Sequence, residues 1–340
     1  TLTVGAGATA GSLDTTTIVS NATLAFNRSD TFTFSTGVSG SGGLTQSGSG
    51  TLVLSGNNTY TGTTRVSGGT LQLGAADRIA NTSALLVDTG ATFDANNNAD
   101  TVGSLAGAGS VSLGSATLTA GGDGTSTIFS GTMTGSGGLT KAGAGTLTIS
   151  GSPAYTGATT ISAGTIALSG TGSLPNSSAL TVTGTFDLNN VADTVGSIAG
   201  AGNITLGSAT LTSGGDNSST SFSGIVSGTG AITKTGTGTL TLSGANSYSG
   251  STTVSSGALR ADNNTALGTT AGSTTVANGA QLQVAGGITS AEVISAAGVA
   301  VNQGVINNVS GSNTLSGAVT LTGSSSNEIQ IDGGSLTFSG

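Results

Sequence analysis

Cysteine, histidine and tryptophan are absent from the 340 residues, and proline occurs only twice. Without Cys and His the chain can build no disulfide, no thiolate nucleophile and no Ser-His-Asp or Cys-His relay. Aromatic residues make up 3% and charged residues 6%. Disorder usually follows from low hydrophobicity with high charge. Here 35% of residues are hydrophobic and the mean hydropathy is +0.23, so the chain is expected to fold. The six basic residues, Arg28, Arg65, Arg78, Lys141, Lys234 and Arg260, are scattered, and the net charge is −8. A phosphate backbone or an anionic membrane surface needs clustered Lys and Arg, so neither nucleic acid nor a lipid surface is an expected partner. No apolar run reaches the ~18 residues of a membrane-spanning helix. No charged-then-apolar leader opens the chain, which starts at Thr1 in mid-pattern, as an excised or processed piece would.

What is abundant is glycine, at 61 residues. Each Gly inside a helix costs about 1 kcal/mol relative to Ala, which opposes long helices. Collagen would need Gly at every third position with much Pro, and neither holds. Instead the sequence repeats with a period of about 94. Gly43-Leu-Thr-Gln-Ser-Gly-Ser-Gly-Thr-Leu-Val-Leu-Ser-Gly-Asn-Asn-Thr-Tyr60 returns as Gly138-Leu-Thr-Lys-Ala-Gly-Ala-Gly-Thr-Leu-Thr-Ile-Ser-Gly-Ser-Pro-Ala-Tyr155. It returns again as Gly230-Ala-Ile-Thr-Lys-Thr-Gly-Thr-Gly-Thr-Leu-Thr-Leu-Ser-Gly-Ala-Asn-Ser-Tyr248, so all three tyrosines share one repeat position. Between these segments Ala99–Ser104 recurs as Ala192–Ser197, and Phe93, Asp123 and Phe129 recur as Phe186, Asp216 and Phe222. The units run approximately 41–135, 136–227 and 228–262, followed by a divergent stretch, 263–340. No linker or composition shift divides the chain, so 1–340 is read as one array.

Within a unit the period is two. Thr51-Leu-Val-Leu54, Thr146-Leu-Thr-Ile149 and Thr239-Leu-Thr-Leu242 alternate small or hydroxyl residues with aliphatic ones. That pattern makes short strands with one buried face. The Ser-Gly, Gly-Gly and Asn-Asn pairs between them suit corners, because Gly and Asn accept positive φ. Few aromatics and regular aliphatics fit an all-β, right-handed parallel β-helix (β-solenoid), an elongated rod whose Leu, Ile and Val stack winding on winding while small hydroxyl residues stay outside. At roughly 20–25 residues per winding, a unit holds about four windings. With ~4.8 Å between strands the rod is about 70–80 Å long. A β-sandwich, the main competitor, would normally lack near-identical tandem segments and carry more aromatic core.

The pattern Gly-Gly-Leu-Thr-Lys-x-Gly-x-Gly-Thr-Leu-Thr-Leu-Ser-Gly-x-Asn-x-Tyr-x-Gly, closed by Val-Ser-x-Gly-x-Leu, resembles the autotransporter-associated β-strand repeat, also called the passenger-associated transport repeat. The match is strong at 41–74, 136–170 and 228–261, and with the segments between it covers roughly 40–260. Gln46 stands where the other copies have Lys, and Pro153 where they have Asn. The resemblance implies a β-helix passenger of a Gram-negative type V secretion system, exported through an outer-membrane barrel that is not part of this sequence. It implies display on, or release from, the cell surface. It implies no particular activity, since such passengers include adhesins, proteases and esterases.

A Ser-Lys pair is formally possible at Lys141 and Lys234, but both occupy one repeat position, as a surface residue duplicated with its unit would. Paired carboxylates at Asp94 with Asp100, and Asp187 with Asp193, match the residue types of glycosidases and lyases. They too are duplicated, and turn capping through backbone N–H groups is the favoured role. Asp94-Ala-Asn-Asn-Asn-Ala-Asp100 spaces oxygens as a Ca²⁺ loop can, yet Leu105 stands where such a loop needs its bidentate Glu. Gly121-Gly-Asp-Gly124 and Gly214-Gly-Asp-Asn217 echo Ca²⁺ repeats without occurring in tandem. The tyrosines, about four windings or ~19 Å apart, are too distant to stack and are expected to pack at a corner. Regular Thr faces suggest ice-binding solenoids, but their spacing varies. No catalytic, cofactor or metal residue is assigned, and the chain is read as a non-enzyme.

The expected function is a structural, adhesive surface rod that mediates attachment or aggregation, or presents a tip, at the bacterial cell surface. Its ligand is unidentified. Homotypic self-association or fibre formation is a further partnership the sequence allows, because the faces carry little of the charge that keeps natural sheets apart. The alternative is a scaffold for a secreted enzyme whose catalytic part lies outside these residues. An insertion holding His, Cys or a tight acidic cluster in the flanking sequence would favour that alternative.

Overall fold

Aliphatic and small residues alternate along this chain in short runs, and each run ends at a Gly, Ser or Asn corner. The computed structural model describes residues 1–13, 15, 17–298, 304–323 and 328–340. Among them the regular structure is all strand, in short pieces, and each described pairing is parallel. A parallel neighbour one winding away in sequence, rather than across a hairpin, makes a β-solenoid. The chain falls into two compact units, Thr1–Pro175 and Asn176–Gly340.

In the first unit, one face stacks Leu2–Ala8, Leu24–Arg28, Leu44–Gln46, Thr64–Val66, Ala84–Val87, Ser104–Gly107, Thr127–Phe129, Thr146–Ile149 and Thr165–Leu168. A second face stacks Thr31–Phe34, Thr51–Leu54, Thr70–Leu73, Thr92–Asp94, Ser110–Ser112, Thr132–Gly135 and Ala154–Tyr155. A third stacks Asp100–Val102, Leu118–Ala120, Leu139–Lys141 and Thr159–Ile161. One winding carries the chain from Leu24 to its register partner Leu44, and a shorter one carries it from Phe93 to Val111. The core is a set of columns. On the second face Leu52, Leu71, Phe93, Val111 and Met133 are register partners in turn, each 2% exposed or less. Burying each such side chain contributes roughly 1.5–3 kcal/mol.

The repeat and the winding are out of step. From Leu44–Gln46 the chain returns to the first face at Thr64–Val66, Ala84–Val87, Ser104–Gly107 and Thr127–Phe129, then passes the second face at Thr132–Gly135. It meets the next copy of the motif, Leu139–Lys141, on the third face. One repeat is therefore four windings and two further faces, rather than the four windings expected. The reason is that the corners are short, so a winding falls at the lower end of its expected length. The next strand of that copy, Thr146–Ile149, occupies the face on which the first copy began.

The second unit is built the same way. Ala179–Val182, Ser197–Gly200, Thr220–Phe222, Thr239–Leu242, Ala258–Ala261, Gln281–Val284, Ile306–Asn308 and Ile329–Ile331 form one face. Asp193–Val195, Thr210–Ser213, Ala231–Lys234, Thr252–Val254, Thr274–Val276, Ile294–Ala296 and Val319–Leu321 form another. Leu240, Leu259, Leu282 and Ile306 make a buried column. The divergent stretch thus continues the solenoid through its described residues, with a longer winding between the register partners Ile294 and Val319.

Candidate functional site

The repeated tyrosines and lysines lie inside, not on the faces. Tyr60, Tyr155 and Tyr248 are fully buried, Tyr60 and Tyr248 at a corner and Tyr155 in the short strand Ala154–Tyr155, and the hydroxyl of each lies 2.6 Å from Oγ1 of a following threonine, Thr64, Thr159 or Thr252. The Thr64 hydroxyl also meets Ser83 Oγ at 2.8 Å, and Ser83 donates to Gly62 O at 2.7 Å. These buried threonines depart from the expectation that hydroxyl residues face outward. A pleat that points a Thr inward is tolerated where a phenol completes its hydrogen bonding. Buried this way, the tyrosines offer no face for a sugar to stack on.

Lys141 and Lys234 are 1% exposed, which corrects their reading as surface residues. Each ammonium turns back onto its own corner. Lys141 Nζ donates to the carbonyls of Ala142 and Gly143, and Lys234 Nζ to those of Thr235, Gly236 and, at 3.3 Å, Ser256. Gln46 performs the same task in the first copy, donating to Gly48 O at 2.9 Å and Gly50 O at 3.1 Å. The position requires a long donor, not a charge. Burial pushes the lysine ammoniums down, Lys234 to about 8, against the opposing pull of Asp123 on Lys141 and of Asp216 on Lys234. Burial also acts on Asp123, but hydrogen bonds from Thr125 and Ser104 and the charge of Lys141 together hold its carboxyl below the usual range. In the second unit Ser197 donates to Asp216 Oδ2 at 2.6 Å. Ser104, Asp123 and Lys141 thus gather in space, yet the gap between Ser104, Lys141 and Leu147 is too small to admit a water.

The Asp-rich corners cap backbone. Asp94 Oδ1 accepts from Asn96 N–H and Asp187 Oδ1 from Asn189 N–H, both at 2.9 Å, while Gln72 donates to Asp94 Oδ2. Asn96, Asn97, Asn189 and Asn190 all hold positive φ, and the Asn97 and Asn190 side-chain oxygens accept from Ser115 and Ser208 one winding on. Both oxygens of Asp94 in the candidate Ca²⁺ loop are therefore taken up, one by a backbone and one by an amide donor, whereas Asp100 Oδ1 has no partner. Asp100 is buried and accepts from the N–H groups of Arg78 and Ile79 at 3.0 Å. Burial outweighs those bonds and, with the charge of Asp77, pushes the carboxyl up to about 6.

Asn58 and Asn246, shortly before the tyrosine, join three windings. Asn58 Oδ1 accepts from Val38 N–H and its amide donates to Arg78 O; Asn246 does the same between Val226 N–H and Ala266 O. In the second copy Pro153 replaces this amide, and Ala154–Tyr155 instead pairs as a strand with Thr134 and Gly135. Glu292, like Asp100, keeps one buried carboxylate oxygen unpartnered. Glu292 is 3% exposed, accepts from Thr274 Oγ1 at 3.4 Å, and leaves Oε2 without a partner beside a cleft of about 240 Å³. Burial pushes it up to about 7. Sequence reasoning passed over Glu292, although it is one of only two Glu in the chain, both in the divergent stretch.

The family model for the passenger-associated-transport-repeat matches this chain three times, at residues 44–73, 139–168 and 232–261. Each match is a stretch that stacks on itself. Leu44–Gln46 pairs with Thr64–Val66 and Thr51–Leu54 with Thr70–Leu73, the tyrosine corner lying between the two windings. The other copies repeat this arrangement. Three such repeats in a β-solenoid imply an autotransporter passenger β-helix, secreted to the cell surface. No curated protein and no solved structure matches the chain.

Proposed function

We propose that this chain is a structural and adhesive passenger segment, displayed at the bacterial surface by type V secretion, where it mediates attachment or aggregation or carries a tip. The self-stacking of each match carries this reading. Its contacts close between one winding and the next, so a short emerging stretch already contains both windings, their corner tyrosine and the donor that fixes the next corner. Folding that propagates winding by winding suits a chain delivered end first through a pore. The absence of Cys removes any cross-link that would hinder such passage. The outward positions are mainly Thr, Ser, Asn and Gly with scattered charge, a surface suited to weak, repeated contacts with a neighbouring copy.

Deleting the passenger from the producing cell tests the proposal. Loss of attachment and aggregation, with the outer-membrane barrel still present, is the expected result. Unchanged adhesion in both assays sinks it.

A further inference from the structure

Outward hydroxyls form one unbroken column on a face of the second unit. Thr194, Thr212, Thr233, Thr253, Thr275, Ser295 and Thr320 are register partners in turn. The step along the chain varies from 18 residues, between Thr194 and Thr212, to 25, between Ser295 and Thr320, which is why the threonines look irregular in the sequence. Corners absorb the difference, and each winding returns a hydroxyl to the same line. Strand spacing sets the rungs ~4.8 Å apart and makes the column about 29 Å long. The rungs are half-buried or exposed, and among the described residues none bonds to any of the seven hydroxyls. By contrast Thr235 and Thr322, two places after a rung, turn back onto Ser213 O and Ala296 O. Residues two places before or after a rung are uncharged and no larger than valine, as at Ser251, Ser273, Val293, Ser255 and Ala277. Strand geometry does not demand this. On the face that carries Thr239–Leu242, the matching outward column reads Thr241, Arg260, Gln283, Asn307 and Gln330. Nor does duplication account for it, since Thr275, Ser295 and Thr320 lie beyond the last family match.

We propose that this face binds ice, its hydroxyl column holding a row of ordered waters that joins the surface of a growing crystal. A rung spacing of ~4.8 Å is close to the repeat of water oxygens along one axis of hexagonal ice. The β-branch of Thr restricts χ1, so the rungs repeat one geometry instead of averaging over several. A water bridging two fixed polar groups is enthalpically nearly as good as a direct hydrogen bond, so free hydroxyls at a regular spacing can hold water in a line. The flat, small-residue surroundings let an equally flat solid approach. Other ligands fit less well. A divalent metal needs carboxylates, and none points outward from the column or its flanks. A sugar would want an aromatic platform, which the face lacks. The inference stands apart from the adhesive reading and does not rest on it.

The test adds the whole chain to a polycrystalline ice film and, separately, to a single ice crystal held near its melting point. Slowed recrystallisation of the film, faceted growth of the crystal and a gap between its melting and freezing temperatures are expected. Thr253→Lys and Thr275→Tyr, each in the middle of the column, should abolish all three effects. Thr241→Lys, on the other face, should leave them intact. Arg260 occupies the matching outward position next to Thr241, so a long cation is compatible with this strand geometry. Thermal melts of the variants separate lost ice binding from lost fold, and Thr275→Tyr, uncharged and a good strand former, serves if Thr253→Lys does not fold. Four results would each overturn the proposal: recrystallisation as fast as in buffer with rounded crystals, full activity in both column variants, equal loss in Thr241→Lys, or a concentration-dependent dimer that Thr253→Lys dissolves while ice is unaffected. The last would give the face to a second copy of the chain.

Discussion

A buried lysine is tolerated here because its ammonium is taken up by main-chain carbonyls. Gln46 shows that a neutral amide suffices. Lys141→Gln should therefore cost little, whereas Lys141→Ala strands the carbonyls of Ala142 and Gly143 and should cost about 1–3 kcal/mol in denaturant melts. That burial was hidden in the sequence, since Lys normally signals a solvated face; the Gln at the same repeat position was the available hint that donors, not charge, were retained. Asp100 gives a pH signature. Its folded-state pKa lies above the unfolded value, so the protonated form favours folding. That contribution is fully present below about pH 4 and is lost as pH rises through about 6. Asp100→Asn keeps an acceptor for Arg78 and Ile79 N–H, so it should raise stability at neutral pH and flatten the acidic limb of the profile; an unaltered profile would show that another group titrates there.

At the scale of the element, alternation of Leu, Ile and Val with Thr made the strands legible, and Gly and Asn pairs made the corners legible. The length of a winding was not, because corners swell or shrink without disturbing the alternation: the step from Phe93 to Val111 is shorter than that from Leu24 to Leu44, and the step from Ile294 to Val319 is longer. The asparagine bridge makes a sharper prediction. Asn246→Ala leaves Val226 N–H and Ala266 O without their partner inside the stack, and should destabilise the chain by about 2–4 kcal/mol. The Gly-Gly pair before Leu139 is constrained by space instead. A Cβ on Gly137 would lie 1.7 Å from Ala116 O. Gly137→Ala must push two windings apart, and should cost at least about 1–3 kcal/mol in thermal melts.

For the molecule as a whole, no cysteine and no carboxylate-rich metal cluster among the described residues sustain the fold. Neither a reductant nor a chelator should shift the melting temperature; a marked fall with EDTA would mean that the Asp94 corner binds an ion. The mismatch between repeat and winding has a consequence for descent. Tandem copies invite unequal crossing-over, which adds or removes one block at a time. Every strand in a block alternates alike, so an altered copy number can keep aliphatic columns matched. Yet each gained or lost block swings whatever follows it by a third of a revolution. Length variation in such a lineage therefore re-aims the downstream surface like a dial with three stops, without a single point substitution.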